Sequence, residues 1–480
     1  MAREGGETPH VLLVALAVQS HINPMLCLGK RLASKGLHVT LATTEATRSH
    51  MLKANANTPP PDAPYNSLIR LEFFSDGLPH DYERTNPANA ADIFYHLEHH
   101  GPSNLSALIH SLSARNAANF SCIINNQSVP WVADVAQAHG IPCAMLWIQP
   151  CALFAIYYRF CNRLNRFPTA ADPYTPVQLP GLPLLRPEDL PSFILPNSEH
   201  WGGFGRTISL LFENMHKLKW VLCNSFYELE KDGVESMSSI QPITPVGPLV
   251  PQILLGEDED SGVELWKAEE SCIEWLDKHQ ASSVVYVSFG SVLPLPTEQM
   301  EKIAWGIKSS GRPFLWVAKL PEHAAEDRSR GLLPPEFMKE TEDRGLVVQW
   351  CPQAKVLAHP SVACFLTHCG WNSTLEGVVS GVPMIGYPQW TDQPTNAKLL
   401  VGVFEVGVRL KAGEDGMVEQ GEVERCIVEV TEGAKAVELK KKALQWKEAA
   451  RAAVRNGGSS DRNIQLFVDE IVKGGNRVVL

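Results

Sequence analysis

Long apolar runs are missing from this chain of 480 residues. The longest near the start, Val11 to Val18, is strand-sized, far short of the roughly 20 residues that cross a bilayer as a helix. Runs of Lys and Arg are missing too. With a formal net charge of −11, the chain is poorly suited to neutralising a phosphodiester backbone, which argues against a nucleic-acid partner. Eleven Cys form an odd set with no CxxC pair, so reduced thiols in the cytosol are expected rather than a disulfide framework. The sequons at Asn104, Asn119, Asn126 and Asn372 then never meet the glycosylation machinery. The start, MAREGGETPH, is polar and lacks the form of a secretory leader. No GxGxxG follows the first strand, where the chain reads VQSHINP, and this removes a nicotinamide dehydrogenase.

Metal ligands in a usable pattern are absent as well. Cys351, His359, Cys364, His368 and Cys369 match no paired-ligand spacing, and Cys364 falls inside an apolar strand, so buried thiols are the better reading. His96, His99 and His100 have no carboxylate or cysteine to complete a site and read as a solvated or pocket-lining helix face.

What is present is alternation. Strand-like runs near His10–Val18, His38–Thr43, Ile69–Phe74, Cys122–Asn125, Cys143–Ile148 and Val221–Asn224 are separated by helical patterns. A second series follows at Val284–Ser288, Phe314–Ala318, Leu346–Val348, Ala363–Thr367, Met384–Tyr387 and Val406–Leu410. The fold class is α/β, with two doubly wound, Rossmann-like domains. Their expected spans are 1–248 and 269–455, joined by an acidic, Pro/Gly-rich linker at 249–268. Residues 456–480 form a last helix after a GGSS break, expected to cross back to the first domain. The first helix is predicted to be capped by Asn23, with Pro24 at its first position and Gly36 beyond its end. The Pro-rich stretch 168–196 reads as loop.

The stretch from Trp350 to Gln393 carries most of the chemistry: WCPQAKVLAHPSVACFLTHCGWNSTLEGVVSGVPMIGYPQWTDQ. An exposed Trp350 suits stacking on a base, with Gln353 nearby. The strand Ala363–Thr367 then feeds His368-Cys369-Gly370-Trp371-Asn372-Ser373 and a helix predicted to start near Thr374. Unpaired backbone N–H groups and the helix dipole favour an anion there, and His368, Asn372 and Ser373 each add a donor. Asp392 and Gln393, past the next strand, suit sugar hydroxyls. The order is that of uracil, diphosphate and sugar. Ligands in such sheets bind beyond the carboxyl ends of strands, where His21 also falls. His21 on that loop has a pKa near neutrality and suits proton abstraction, or else is satisfied by backbone groups.

Wording and spacing in this stretch closely resemble the signature box of plant UDP-sugar-dependent glycosyltransferases. HVLLVALAVQSHINPMLCLGKRLASKG, VVYVSFGSV and GGSSDRN resemble the same family, so the likeness covers most of the chain. It implies the GT-B architecture, two domains facing across a cleft, and His21 as general base. It also implies uracil stacking on Trp350, a base-edge contact from the Cys351 backbone, and Gln353 on ribose or base. Phosphate contacts fall to His368, Asn372, Ser373 and Ser291, and sugar contacts to Trp371, Asp392 and Gln393. The Gln at the last box position accompanies glucose in the family. Glu376 matches the family's ribose-diol ligand, although Ser373-Thr374-Leu375-Glu376 also fits a capping box.

One departure bears on the acceptor. The family pairs its catalytic His with an Asp, and here Asn126 occupies that slot, in CIINNQSVPW. A neutral amide holds a tautomer but does not offset the charge of a protonated ring. That suits an acceptor already ionised, since a carboxylate with a pKa of about 4 needs no base at pH 7. Asn126 alternatively just satisfies backbone at the strand end. Asn-Asn and a following Pro-Trp resemble the branch that esterifies glucose onto phenolic or hydroxycinnamic acids, though Ser20 stands where the family usually has Gly. The expected reaction is inverting transfer of glucose from UDP-glucose, without a metal, to such an acid. A phenolic hydroxyl or an electron-rich ring carbon stays open as acceptor, and a catalytically dead sugar-nucleotide sensor is disfavoured by His21. The enzyme is expected to be cytoplasmic and monomeric, with a sugar donor and an aromatic acceptor as its only partners and no membrane insertion.

Overall fold

The computed structural model describes residues 8–48, 69–79, 82, 90–115, 119–196, 202–257, 271–290, 295–318 and 331–475. Its strands are β1 His10–Val14, β2 His38–Thr44, β3 Ile69–Phe74, β4 Phe120–Asn126, β5 Cys143–Trp147, β6 Leu218–Cys223 and β7 Thr244–Pro245 in the first half. The second half has β8 Val284–Ser288, β9 Phe314–Val317, β10 Gly345–Val348, β11 Val362–Thr367, β12 Met384–Gly386 and β13 Gly407–Arg409. They form two sheets, ordered β3-β2-β1-β4-β5-β6-β7 and β10-β9-β8-β11-β12-β13. Every pairing in both is parallel. Such strands are covered on both faces, which is why β1, β8 and β11 read as nearly unbroken apolar runs.

In each sheet the strand order reverses once beside the first strand. Leu13 of β1 sits between Leu41 and Ile124, and Val287 of β8 between Trp316 and Leu366. Crossovers leave to opposite faces on either side of that point, so a crevice opens beyond the carboxyl ends of β1 and β4, and of β8 and β11.

The first helix differs from expectation. It spans Gln19–Ser34, with Val18 at its N-cap and no side-chain cap, and Pro24 lies inside it. Asn23 is therefore no cap, and His21 is the third helical residue rather than a loop residue. A helix tolerates this proline at the loss of a single backbone hydrogen bond. Gly36 does end the helix, at φ 88°.

Two features tie the halves together. Asp189, in the Pro-rich stretch, is buried and receives Arg409 at 3.0 Å and Lys398 at 3.4 Å. Its carbonyl accepts from Thr395 Oγ1 at 2.8 Å, and Ser192 N–H donates to the Thr391 carbonyl at 3.0 Å. The last helix, Ser459–Gly475, leaves the second half and lays Ile464, Phe467, Val468 and Ile471 into the core that holds Val11, Leu13, Leu222 and Val246. Its Asn463 donates to the Pro245 carbonyl at 2.8 Å.

Candidate active site

His21, in the first turn of the helix that follows β1, and Asn126, the last residue of β4, flank the first crevice. His21 Nδ1 and Asn126 Oδ1 are 2.7 Å apart, and the Ser128 N–H donates to that same oxygen at 3.1 Å. An amide group that accepts from a backbone N–H presents its carbonyl, so the imidazole proton must be on Nδ1. Nε2 is left with a free lone pair. Burial lowers the His21 pKa from 6.5, opposed by the Asn126 hydrogen bond. The ring is a neutral base near pH 7.

The second crevice lies at the N-terminus of the helix Trp371–Ser380, which starts three residues earlier than the sequence suggests. Its N-cap is Gly370, so Glu376 is not three residues from a cap and the capping-box alternative falls. Tyr286 Oη donates to Gln353 Oε1 at 3.0 Å, which turns Gln353 Nε2 toward Ser373 Oγ at 3.1 Å and Glu376 Oε2 at 2.6 Å. Three predicted donor residues are thus joined in one network. Tyr286 was not foreseen, because it sits within the apolar run of β8.

His368 stacks over backbone. A Cβ on Gly290 or Gly370 would stand 2.9 Å or 2.5 Å from its Nε2, so only glycine admits the ring there. Burial pulls its pKa to about 4, against a hydrogen bond with the Ser288 backbone. His368 is therefore a neutral ring with a single N–H, and lacks the charge that a protonated ring would bring to a phosphate. Asn372 points across the cleft, donating from Nδ2 to the Ser20 carbonyl at 2.7 Å.

The tip after β12 also meets this helix. Asp392 is buried, accepts from Asn396 Nδ2 at 2.6 Å and Thr391 Oγ1 at 2.7 Å, and is further hydrogen-bonded by the Trp371 backbone. Gln393 Oε1 accepts from the Gln389 N–H at 2.9 Å, which fixes the loop. The Trp371 side chain departs from expectation. Its ring is 3% exposed, donates to the Asn224 carbonyl at 2.8 Å and packs against Phe404, so only its backbone faces the crevice. Trp350 is half-buried after β10, and Cys351 is buried, its Sγ 3.4 Å from Tyr286 Oη. Ser291 lies outside the described residues. Among the described residues no group of three or more His, Cys, Asp or Glu is placed to hold a metal ion, and no helix is long and apolar enough to cross a membrane.

The His21 environment sets a pH dependence. A base works when deprotonated, and this one has its pKa lowered from 6.5. For a phenol acceptor, the acid limb of kcat/KM should therefore fall below pH 6.5. A limb at or above 6.5 in a pH–rate profile would refute the assignment of His21 as a buried base.

Two doubly wound domains, with a neutral imidazole facing an anion-ready helix N-terminus, define a nucleotide-dependent group transferase. A family model described as UDP-glucoronosyl and UDP-glucosyl transferase matches residues 248–430. UDP-glycosyltransferase 84B2 of Arabidopsis thaliana is 46% identical over 461 residues, 96% of this chain and 99% of that protein. Gallate 1-beta-glucosyltransferase of Quercus robur is 45% identical, covering 96% and 89%. Among solved structures, Os79 from O. sativa in complex with UDP matches with a TM-score of 0.84 at 34% identity, over 96% of this chain and 100% of that one. The chain belongs to the plant UDP-glycosyltransferases and has their GT-B fold.

Proposed function

We propose that this enzyme transfers glucose from UDP-glucose, with inversion, to the carboxylate of a phenolic or hydroxycinnamic acid. The observation that carries the reading is the amide partner of His21. Asn126 orients the ring and leaves Nε2 free, yet offers no charge to a developing imidazolium. An ionised acceptor makes no demand for that charge, and the similarity to a gallate glucosyltransferase supports the same class.

In this mechanism a carboxylate oxygen attacks the anomeric carbon as the bond from that carbon to the diphosphate oxygen breaks. No proton moves. The leaving diphosphate gathers charge at the helix N-terminus beside Asn372, with His368 and Ser373 as donors, and on these grounds we assign no metal requirement. Trp350 stacks on uracil, Glu376 takes the ribose diol, and Asp392 and Gln393 hold the glucose. Residues 1–248 bind the acceptor and 269–455 the donor, in a cytoplasmic monomer. A phenolic hydroxyl is the second reading, favoured by the free lone pair on Nε2.

Product chemistry decides between them. After incubation with UDP-glucose and a mixed panel of aromatic acids and phenols, the main product should be cleaved by mild alkali, as an ester is. An alkali-stable glucoside as main product would overturn the ester assignment. Equal or better turnover with UDP-galactose or UDP-glucuronate would overturn glucose while leaving the uridine site intact.

A further inference from the structure

We propose that Pro24 and Asn372 act together as positioning residues for His21, registering the base against the donor helix. In the helix Gln19–Ser34 the carbonyl of Ser20 would ordinarily accept from the N–H four residues on. That residue is Pro24, which has no N–H and whose ring crowds this carbonyl outward. The acceptor is thereby freed one residue before the catalytic imidazole. Asn372 Nδ2 fills the vacancy from the other half of the molecule, at 2.7 Å.

The Ser20 carbonyl and the His21 N–H belong to one rigid peptide plane. Its N–H donates to the Val18 carbonyl at 2.9 Å, and its oxygen is held by Asn372. Both edges of the plane from which His21 projects are thus pinned, one of them by the donor half. His21 is pinned again at its ring by Asn126 at 2.7 Å. Asn372 itself is the second residue of the helix Trp371–Ser380, within the turn where the diphosphate is assigned. One side chain therefore sets the distance from donor to base. The proposal rests on the donor reading of that helix, but it makes a separate demand. Restoring an N–H at position 24 should hand the Ser20 carbonyl back to its own helix and release the catalytic turn, with every donor-contacting side chain intact.

The test uses the full-length enzyme as Pro24→Ala, Pro24→Val (which keeps the buried bulk), Asn372→Ala and the Pro24→Ala/Asn372→Ala double variant. UDP affinity by calorimetry, melting temperature, and kcat with UDP-glucose for one phenol and one aromatic acid are measured for each. Both Pro24 variants should bind UDP within about twofold of wild type, yet lose roughly 10- to 100-fold in kcat for the phenol and less for the acid. Asn372→Ala should lose both, and adding Pro24→Ala to it should cost no further kcat. Wild-type kcat in the Pro24 variants, or multiplicative losses in the double variant, would overturn the proposal. So would unfolding, because regaining a helical hydrogen bond should hold or raise the melting temperature. If UDP affinity survives Asn372→Ala while the kcat pattern holds, the phosphate role of Asn372 falls and the positioning role stands.

Discussion

Replacing His21 by Ala should split the acceptors into two groups. A phenol with a pKa of about 10 is mostly protonated near pH 7, so loss of its base should slow it by roughly 10²–10⁴-fold. An aromatic acid is already ionised and should slow far less. Asn126→Asp should act in the opposite sense on the phenol. The new carboxylate keeps one oxygen where Asn126 Oδ1 now meets His21 Nδ1 and the Ser128 N–H. It also supplies the charge that steadies an imidazolium. Phenol turnover should rise, while acid turnover stays level or drops, because a buried anion repels a carboxylate. Values of kcat/KM for one acid and one phenol, across wild type and both variants, settle the matter. Parallel losses in His21→Ala, with no phenol gain in Asn126→Asp, would defeat the carboxylate assignment.

The next largest effect is expected at Glu376. Its carboxylate is aimed by Gln353, which is itself turned by Tyr286. Hydrogen bonds to a charged group contribute about 1.5–3 kcal/mol, so Glu376→Ala should weaken UDP binding roughly 10- to 150-fold. The loss should be specific to the sugar ring of the nucleoside. Wild type should prefer UDP over 2′-deoxy-UDP, and the variant should not, as calorimetry with both ligands would register. A variant that keeps the preference would place the diol contact on another residue.

Much of this arrangement was legible in the chain because parallel strands are apolar throughout and loops are not. The strand that becomes β11 and the polar cluster after it stand out on those grounds alone. The ion pair of Asp189 with Arg409 did not, since its partners lie 220 residues apart and no local pattern joins a residue of the Pro-rich loop to one in the last strand. Helix starts were misjudged at both crevices for a shared reason. Asn23-Pro24 and Ser373 through Glu376 carry strong local start signals, yet each helix begins earlier, at Gln19 and at Trp371. At the first, the freed carbonyl finds a partner across the cleft, and at the second Gly370 provides the cap. The resemblance places Trp371 at the sugar without saying which part of the residue serves, and the size of its ring and its N–H suit a deep contact with Asn224 that leaves only the backbone at the crevice. The neutral state of His368 depends on how tightly Gly290 and Gly370 close around it, which no local pattern encodes.

The last helix carries a consequence for how the molecule is made. β7, the final strand of the first sheet, ends at Pro245, but Phe467, which packs edge-on to Trp220 at 5.2 Å, comes 222 residues later. At about 5–20 residues per second on the ribosome, that interval is on the order of ten to forty seconds. Throughout it, the apolar strip formed by Leu222, Val246 and Leu249 waits for Ile464, Phe467 and Val468. The half that is born first is the half that is finished last. A nascent chain stalled anywhere in the second half would present this open strip to chaperones, however well its own strands had already paired.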